Sequence, residues 1–303
     1  MVLARIAVPM FFIISGFYYQ DMVDSSKHKR QTIKIAKLVI FSNILYLVLG
    51  IIKTLLLQES TSEYLFNCFS LSSIAKMIVF NLSPFSGHLW YLFAILYVLF
   101  LFNVLCHFGI KIERKIYILI PVLFLLYEVL GTYSVLIFGH NIPRPLVRNF
   151  LFVGIPYFLL GYFLHTKIDK IRNLSPKILG FLIVIAYLIC VLEKQVLIRV
   201  NAVAAVEHYF GTILLSLFMF LFFLKAQPYA LGSGLRKIGM LGRKYSTDIY
   251  IYHQAFIDLF GILIVFAGLS SINSAYSVLS PIIVFFITLT FVYLMHRIRH
   301  EQG

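Results

Sequence analysis

Nine apolar runs separated by short polar gaps make up most of this chain, at 6–19, 33–57, 88–108, 116–138, 145–164, 178–192, 209–224, 249–269 and 276–295. A helix needs about 20 mostly apolar residues to cross a bilayer. The pattern therefore predicts an all-α fold, a polytopic transmembrane helix bundle of about nine spans in a single domain over 1–303. The first run is too short to span comfortably. In the long gap from 58 to 87, Leu65, Phe66, Phe69, Ile74, Met77 and Ile78 fall near helical spacing, which predicts a helix lying in the membrane interface.

Composition narrows this further. Hydrophobic residues make up 61% of the 303, and only 13% are charged, against roughly a quarter in soluble domains. The formal charge of +14 raises the question of nucleic acid, and the placement of the basic residues answers it. Alternate gaps hold Lys27, Lys29, Arg30, Lys34 and Lys37; Lys111, Arg114 and Lys115; Lys167, Lys170, Arg172 and Lys177; and Lys225, Arg236, Lys237, Arg243 and Lys244, with Arg297 and Arg299 in the tail. These are 19 of the 26 basic residues, and the positive-inside rule makes their side cytoplasmic. The excess charge is topological, so no nucleic-acid partner is expected. The C-terminus falls inside and the loop around Ser271 outside. Met1 also falls outside with no signal sequence to take it there, so a further helix is expected upstream, ten in all. Cys68, Cys106 and Cys190 form neither a disulfide framework nor a zinc pattern.

One stretch, 141–164 (NIPRPLVRNFLFVGIPYFLLGYFL), joins a basic, polar start to an apolar run. Pro143 and Pro145 bias Arg144 to an extended conformation and predict a helix beginning at Pro145. Arg148 then falls one turn inside that helix, where both the helix dipole and the lipid oppose a cation. An anionic partner, from the protein (Glu128 or Glu207) or from a substrate, is expected there. Gly154, Pro156 and Gly161 suit close packing or a kink beside a cavity.

Four stretches carry a resemblance. Arg5 to Tyr18 (RIAVPMFFIISGFY) is similar to the second helix of the membrane-bound acyltransferase-3 family, and Gly87 to Leu92 (GHLWYL) resembles its His-x-Trp helix start. Arg148 to Gly161 (RNFLFVGIPYFLLG) looks like the version in the membrane half of enterococcal serine racemases linked to vancomycin resistance. Ser246 to His253 (STDIYIYH) resembles the family's late Tyr-x-x-His helix. The resemblance implies about ten helices and transfer of an acyl group, commonly acetyl, from cytoplasmic acyl-CoA to an extracytoplasmic acceptor such as a cell-surface glycan, with no bound cofactor. The chain departs from the family in three places. The family's first helix, with its Arg and His, is not in the sequence. The cytoplasmic Arg-x-x-Arg appears as Lys34-Ile35-Ala36-Lys37, which keeps the charge but loses the planar fork. Trp90 is not followed by the glutamate of many relatives.

The candidate site residues follow from these features. Lys34 and Lys37 share a helix face at the cytoplasmic mouth and either bind the phosphates of acyl-CoA or simply anchor the helix. His88, two residues before Trp90, is a candidate general base. His253, with Tyr250 one turn before it, is an intramembrane ionisable residue and so a catalytic candidate, or else a buried histidine bonded to a neighbouring helix. Asp258 points away from His253 by helical geometry. Arg148 is assigned to catalysis, and Arg144, Asn149, Trp90 and Tyr250 to substrate binding. No metal pattern, nucleophile elbow or phosphate-binding glycine loop occurs. Besides a membrane acyltransferase, two readings stay open: a transporter of a small anionic or zwitterionic solute such as serine, and an inactive, truncated family member.

Overall fold

The computed structural model describes residues 3–110, 112, 114–204, 208–225, 233–266 and 273–301. Glu207, Lys111, Ser271 and the tail beyond 301, all of which enter the sequence reading, lie outside the described residues. Every regular element among the described residues is helical. In chain order they are α1 (Ala7–Phe17), α2 (Tyr19–Asp24), α3 (His28–Leu56), α4 (Thr61–Cys68), α5 (Leu71–Phe80), α6 (Trp90–His107), α7 (Leu119–Tyr127), α8 (Ser134–Phe138), α9 (Arg144–Val147), α10 (Ile155–Thr166), α11 (Ile168–Arg172), α12 (Pro176–Arg199), α13 (Phe210–Lys225), α14 (Ser233–Phe266) and α15 (Asn273–Glu301). Each apolar run coincides with one of these or with a broken series of them. Among the described residues, five segments are long and apolar enough to cross a membrane: His28–Leu56, Gly87–His107, Lys115–Thr132, Pro176–Arg199 and Leu279–Ile298. The all-α polytopic expectation holds.

The chain divides into two compact units, the larger comprising Met1–Ile40, Leu71–Ser83 and Trp90–Gln227, the smaller Phe41–Ser70, Pro84–Leu89 and Pro228–Gly303. In the larger unit α1 lies directly on α10. A Cβ on Gly16 would come within 1.9 Å of the Phe158 carbonyl oxygen, and one on Gly161 within 2.0 Å of the Ile13 oxygen. Backbone touches backbone there, as small residues allow between helices in lipid. Phe12, Ile13, Phe158 and Leu159 fill the surrounding core. The other tight contact sets α13 on α12, with Gly211 against the Cys190 backbone. Glu193 caps α13, accepting from the Phe210 and Gly211 amides at 3.0 and 3.1 Å, where a carboxylate meets the positive helix end.

Among the described residues of this unit two π-helical turns occur, Glu128–Thr132 after α7 and Phe150–Gly154 before α10. Such turns are rare and concentrate at functional sites. The second corrects the expectation for Arg148. The helix predicted from Pro145 stops at Val147, and Arg148 sits in the break with φ −88° and ψ 74°. Asn149 is the cause. Its Oδ1 accepts from the Leu151 and Phe152 amides at 3.0 and 3.1 Å, capping the next helix. Its Nδ2 donates back to the Pro145 and Leu146 carbonyls. Arg148 is therefore not inside a helix, and the expected dipole penalty does not arise.

In the smaller unit the second half of α3 joins α14 and α15. His296 meets Asp248 at 2.7 Å, and Phe291 contacts both Tyr252 and Phe256. Cys68 donates to the Pro84 carbonyl at 3.5 Å, holding α4 to the segment that leads to His88.

Candidate functional site

In the smaller unit, four rings from three chain segments meet. The His88 ring centroid lies 4.8 Å from Tyr46, 5.6 Å from Tyr250 and 5.2 Å from His253. The Tyr250 hydroxyl donates to the His88 carbonyl. His253 Nδ1 faces the Tyr250 and Ile249 carbonyls at 2.7 and 3.2 Å. Carbonyls only accept, so these partners assign the proton to Nδ1 and leave Nε2 as the basic nitrogen. His88 Nδ1 is 2.8 Å from the Ser86 hydroxyl, while its Nε2 is buried with no hydrogen-bond partner. Asp258 takes a 3.0 Å bond from Gln254, consistent with its pointing away from His253.

Tyr46 fixes this arrangement and was not singled out in the sequence. Its buried hydroxyl donates to Ile251 O at 2.6 Å and accepts from Ala255 N at 3.1 Å, on either side of His253. Tyr46 and Asp258 also line a cavity of about 270 Å³ with Lys53, Glu59, Tyr64 and Phe85.

The larger unit holds the arginine site. The Arg148 guanidinium lies 5.1 Å from the Trp90 ring centroid, a cation–π distance. Asn81, buried and at φ 52°, ties the two strands of chain that carry these groups. Its Nδ2 donates to the Trp90 carbonyl at 3.2 Å, and its Oδ1 accepts from the Phe150 amide at 3.0 Å. Arg144 opens the same short α9 but is exposed. Asn149 directs its polar atoms to backbone, so its place here is to position Arg148. Glu128, a predicted partner of Arg148, makes no hydrogen bond through either carboxylate oxygen.

Next to this lies a buried polar group around His208. Its Nε2 is hydrogen-bonded to the Tyr157 hydroxyl, and its carbonyl accepts from Thr132. Burial first, and then the Arg5 charge, push the His208 imidazole down to about 3, so it is neutral at pH 7.

At the other candidate position, Lys34 and Lys37 line one cavity of about 620 Å³ together with Met22, Lys27, Arg30 and Gln31. The sequence placed two cations there; the fold adds two more. A second cavity of about 420 Å³ is lined by Tyr19, Phe102, Leu105, Cys106 and Tyr162; α2 contributes Gln20 and Val23 to it and Met22 to the first.

The model of one protein family, described as an acyltransferase domain, matches residues 1–297. The chain belongs to the acyltransferase-3 family. No curated protein and no solved structure matches it significantly. Family membership and the apolar helices make this a membrane protein of the acyltransferase class. The matched span includes all four stretches on which the sequence resemblance rested.

Proposed function

We propose that the protein is an integral O-acyltransferase of the cell membrane that moves an acyl group, in the first instance acetyl, from cytoplasmic acyl-CoA to a hydroxyl of an extracytoplasmic acceptor such as a cell-surface glycan. On this reading the C-terminus is cytoplasmic. The observation that carries it is His88, whose buried Nε2 has no partner beside His253. With its Nδ1 proton given to Ser86, His88 Nε2 takes the proton from the acceptor hydroxyl, whose oxygen attacks the thioester carbonyl. The C–S bond breaks, and the thiolate leaves with the proton returned by the imidazolium. His253 Nε2 is the second basic nitrogen of the cluster.

The basic cavity at Lys34 and Lys37 suits a donor that carries a diphosphate and a phosphate. The second cavity, lined mainly by apolar side chains, suits its uncharged arm. Arg148, held over Trp90, offers a planar fork to a substrate oxygen, with Arg144 at the rim. The experiment is incubation of membranes with radiolabelled acetyl-CoA. Label should appear as a base-labile ester on the acceptor. Uptake of labelled serine without ester formation would instead make the protein a transporter.

A further inference from the structure

Tyr46, Gly50 and Lys53 recur at helical spacing along α3, and Ala255, Asp258 and Ile262 do so along α14, so each set is one stripe of its helix. Both stripes line the cavity of about 270 Å³ in the smaller unit, and Tyr64 of α4 and Phe85 add to its wall. The Tyr46 hydroxyl fastens α3 to the Ile251 to Ala255 turn of α14. Asp258 is half-buried within the apolar run 249–269. An ionisable side chain is costly there and calls for a counter-charge. Among the described residues no salt bridge reaches it. Its 3.0 Å bond from Gln254 leaves most of the acceptor capacity of a carboxylate unspent. The other two charged groups at the cavity, Lys53 and Glu59, are exposed and cancel formally. One negative charge remains, beside three aromatic side chains, Tyr46, Tyr64 and Phe85. Aromatic faces attract an ammonium group through their quadrupoles, and more strongly where water is excluded.

We propose that this cavity binds a small organic ammonium group, its positive charge met by the Asp258 carboxylate and by the rings of Tyr46, Tyr64 and Phe85. The volume is at the small end for a ligand site and suits a group of the size of ethanolamine or choline. Tyr46 also belongs to the His88 cluster, with its ring 4.8 Å from that of His88. A ligand in the cavity is thus one ring away from the proposed base. The ammonium group then belongs to the acceptor, a step that alone rests on the acyltransferase reading.

The test is equilibrium dialysis of the full chain in detergent with radiolabelled choline and ethanolamine, which needs no acyl transfer. At least one should bind saturably and be displaced by tetramethylammonium, but not by neohexyl alcohol, the uncharged isostere of choline. In Asp258→Asn the Kd should rise about tenfold, and in Phe85→Leu about threefold. In Glu59→Gln, at the exposed rim, it should change by less than about twofold. Gel filtration checks that each variant folds, and Phe85→Leu carries the comparison if Asp258→Asn does not. No saturable binding of either probe, equal displacement by neohexyl alcohol, or an unchanged Kd in the folded Asp258 and Phe85 variants would overturn the proposal. Stronger displacement by dihexanoylphosphatidylethanolamine than by unlabelled ethanolamine assigns the ammonium to a lipid headgroup, and the reverse order assigns it to a free solute; both orders support the site. Ammonium binding by a protein that transfers no acetyl would leave this site standing and sink the acyltransferase reading. Acetyl transfer without ammonium binding would do the reverse.

Discussion

The Tyr46 hydroxyl donates a 2.6 Å hydrogen bond to the Ile251 carbonyl, and it accepts from the Ala255 amide four residues on. In a regular helix those two backbone groups pair with each other. Tyr46 touches both from a neighbouring helix, at the turn of α14 that carries His253. In Tyr46→Phe both hydrogen bonds of the hydroxyl are lost while the helix keeps its own backbone ladder, so the stability cost should be only about 1 kcal/mol. His253 loses the anchor on its turn, and acyl transfer should fall about tenfold. The check is turnover beside thermal unfolding in detergent; unchanged turnover would remove Tyr46 from the positioning of His253.

For Arg148 the fork geometry is what matters. If a substrate oxygen is its partner, Arg148→Lys should fold normally and lose turnover about 100-fold. Loss of the guanidinium plane also ends its stacking on Trp90. Gel filtration separates folding from chemistry, and full turnover in a folded Lys variant would take Arg148 out of the site.

How much of this was legible in the sequence depends on the range of each interaction. Run length and hydropathy located the helices, and α12 (Pro176–Arg199) extends past its apolar run because Glu193 and Lys194 tolerate a helix end near water. The failure at Arg148 has a local cause. Asn149 directly before an apolar run is an N-cap signal, and weighing it would have ended the helix at the right place. Tyr46 and Asn81 gave no such signal. Their partners lie 205 and 69 residues away in the chain, and a single polar side chain among apolar ones does not announce which backbone it will meet. Lys34 and Lys37 were read from spacing, and Lys27 and Arg30 continue the same helical series at i, i+3, i+7 and i+10, with the Gln31 amide already bonded to the Lys27 carbonyl.

The basic cavity makes a kinetic prediction. Changing Lys34 and Lys37 together to Gln should raise the KM for acyl-CoA about tenfold with kcat little changed, since both cations bind the ground and transition states alike. Arg at both positions should preserve or lower KM. A KM unmoved by the Gln pair would return these residues to membrane anchoring.

His208 predicts a pH dependence of stability. Its folded value near 3 lies below the unfolded value of about 6.5. Between the two, the unfolded chain binds more protons, so its contribution is complete above about pH 6.5. It is lost as pH falls toward 3, by up to about 1.4 kcal/mol per pH unit. Unfolding temperatures measured between about pH 8 and pH 4 should drop more steeply for the wild type than for His208→Gln. Parallel curves would contradict the buried neutral imidazole.

The central claim is transfer between compartments, and sidedness tests it most directly. Purified protein is placed in sealed vesicles in one orientation, with radiolabelled acetyl-CoA on the face bearing Lys34 and Lys37 and a sugar acceptor on the other. Labelled ester should accumulate with the acceptor while an equal amount of free CoA thiol appears on the donor side, and neither should form when the donor is offered only to the acceptor face. Ester formation that is indifferent to which face receives acetyl-CoA in sealed vesicles, or the absence of any ester, would contradict the account.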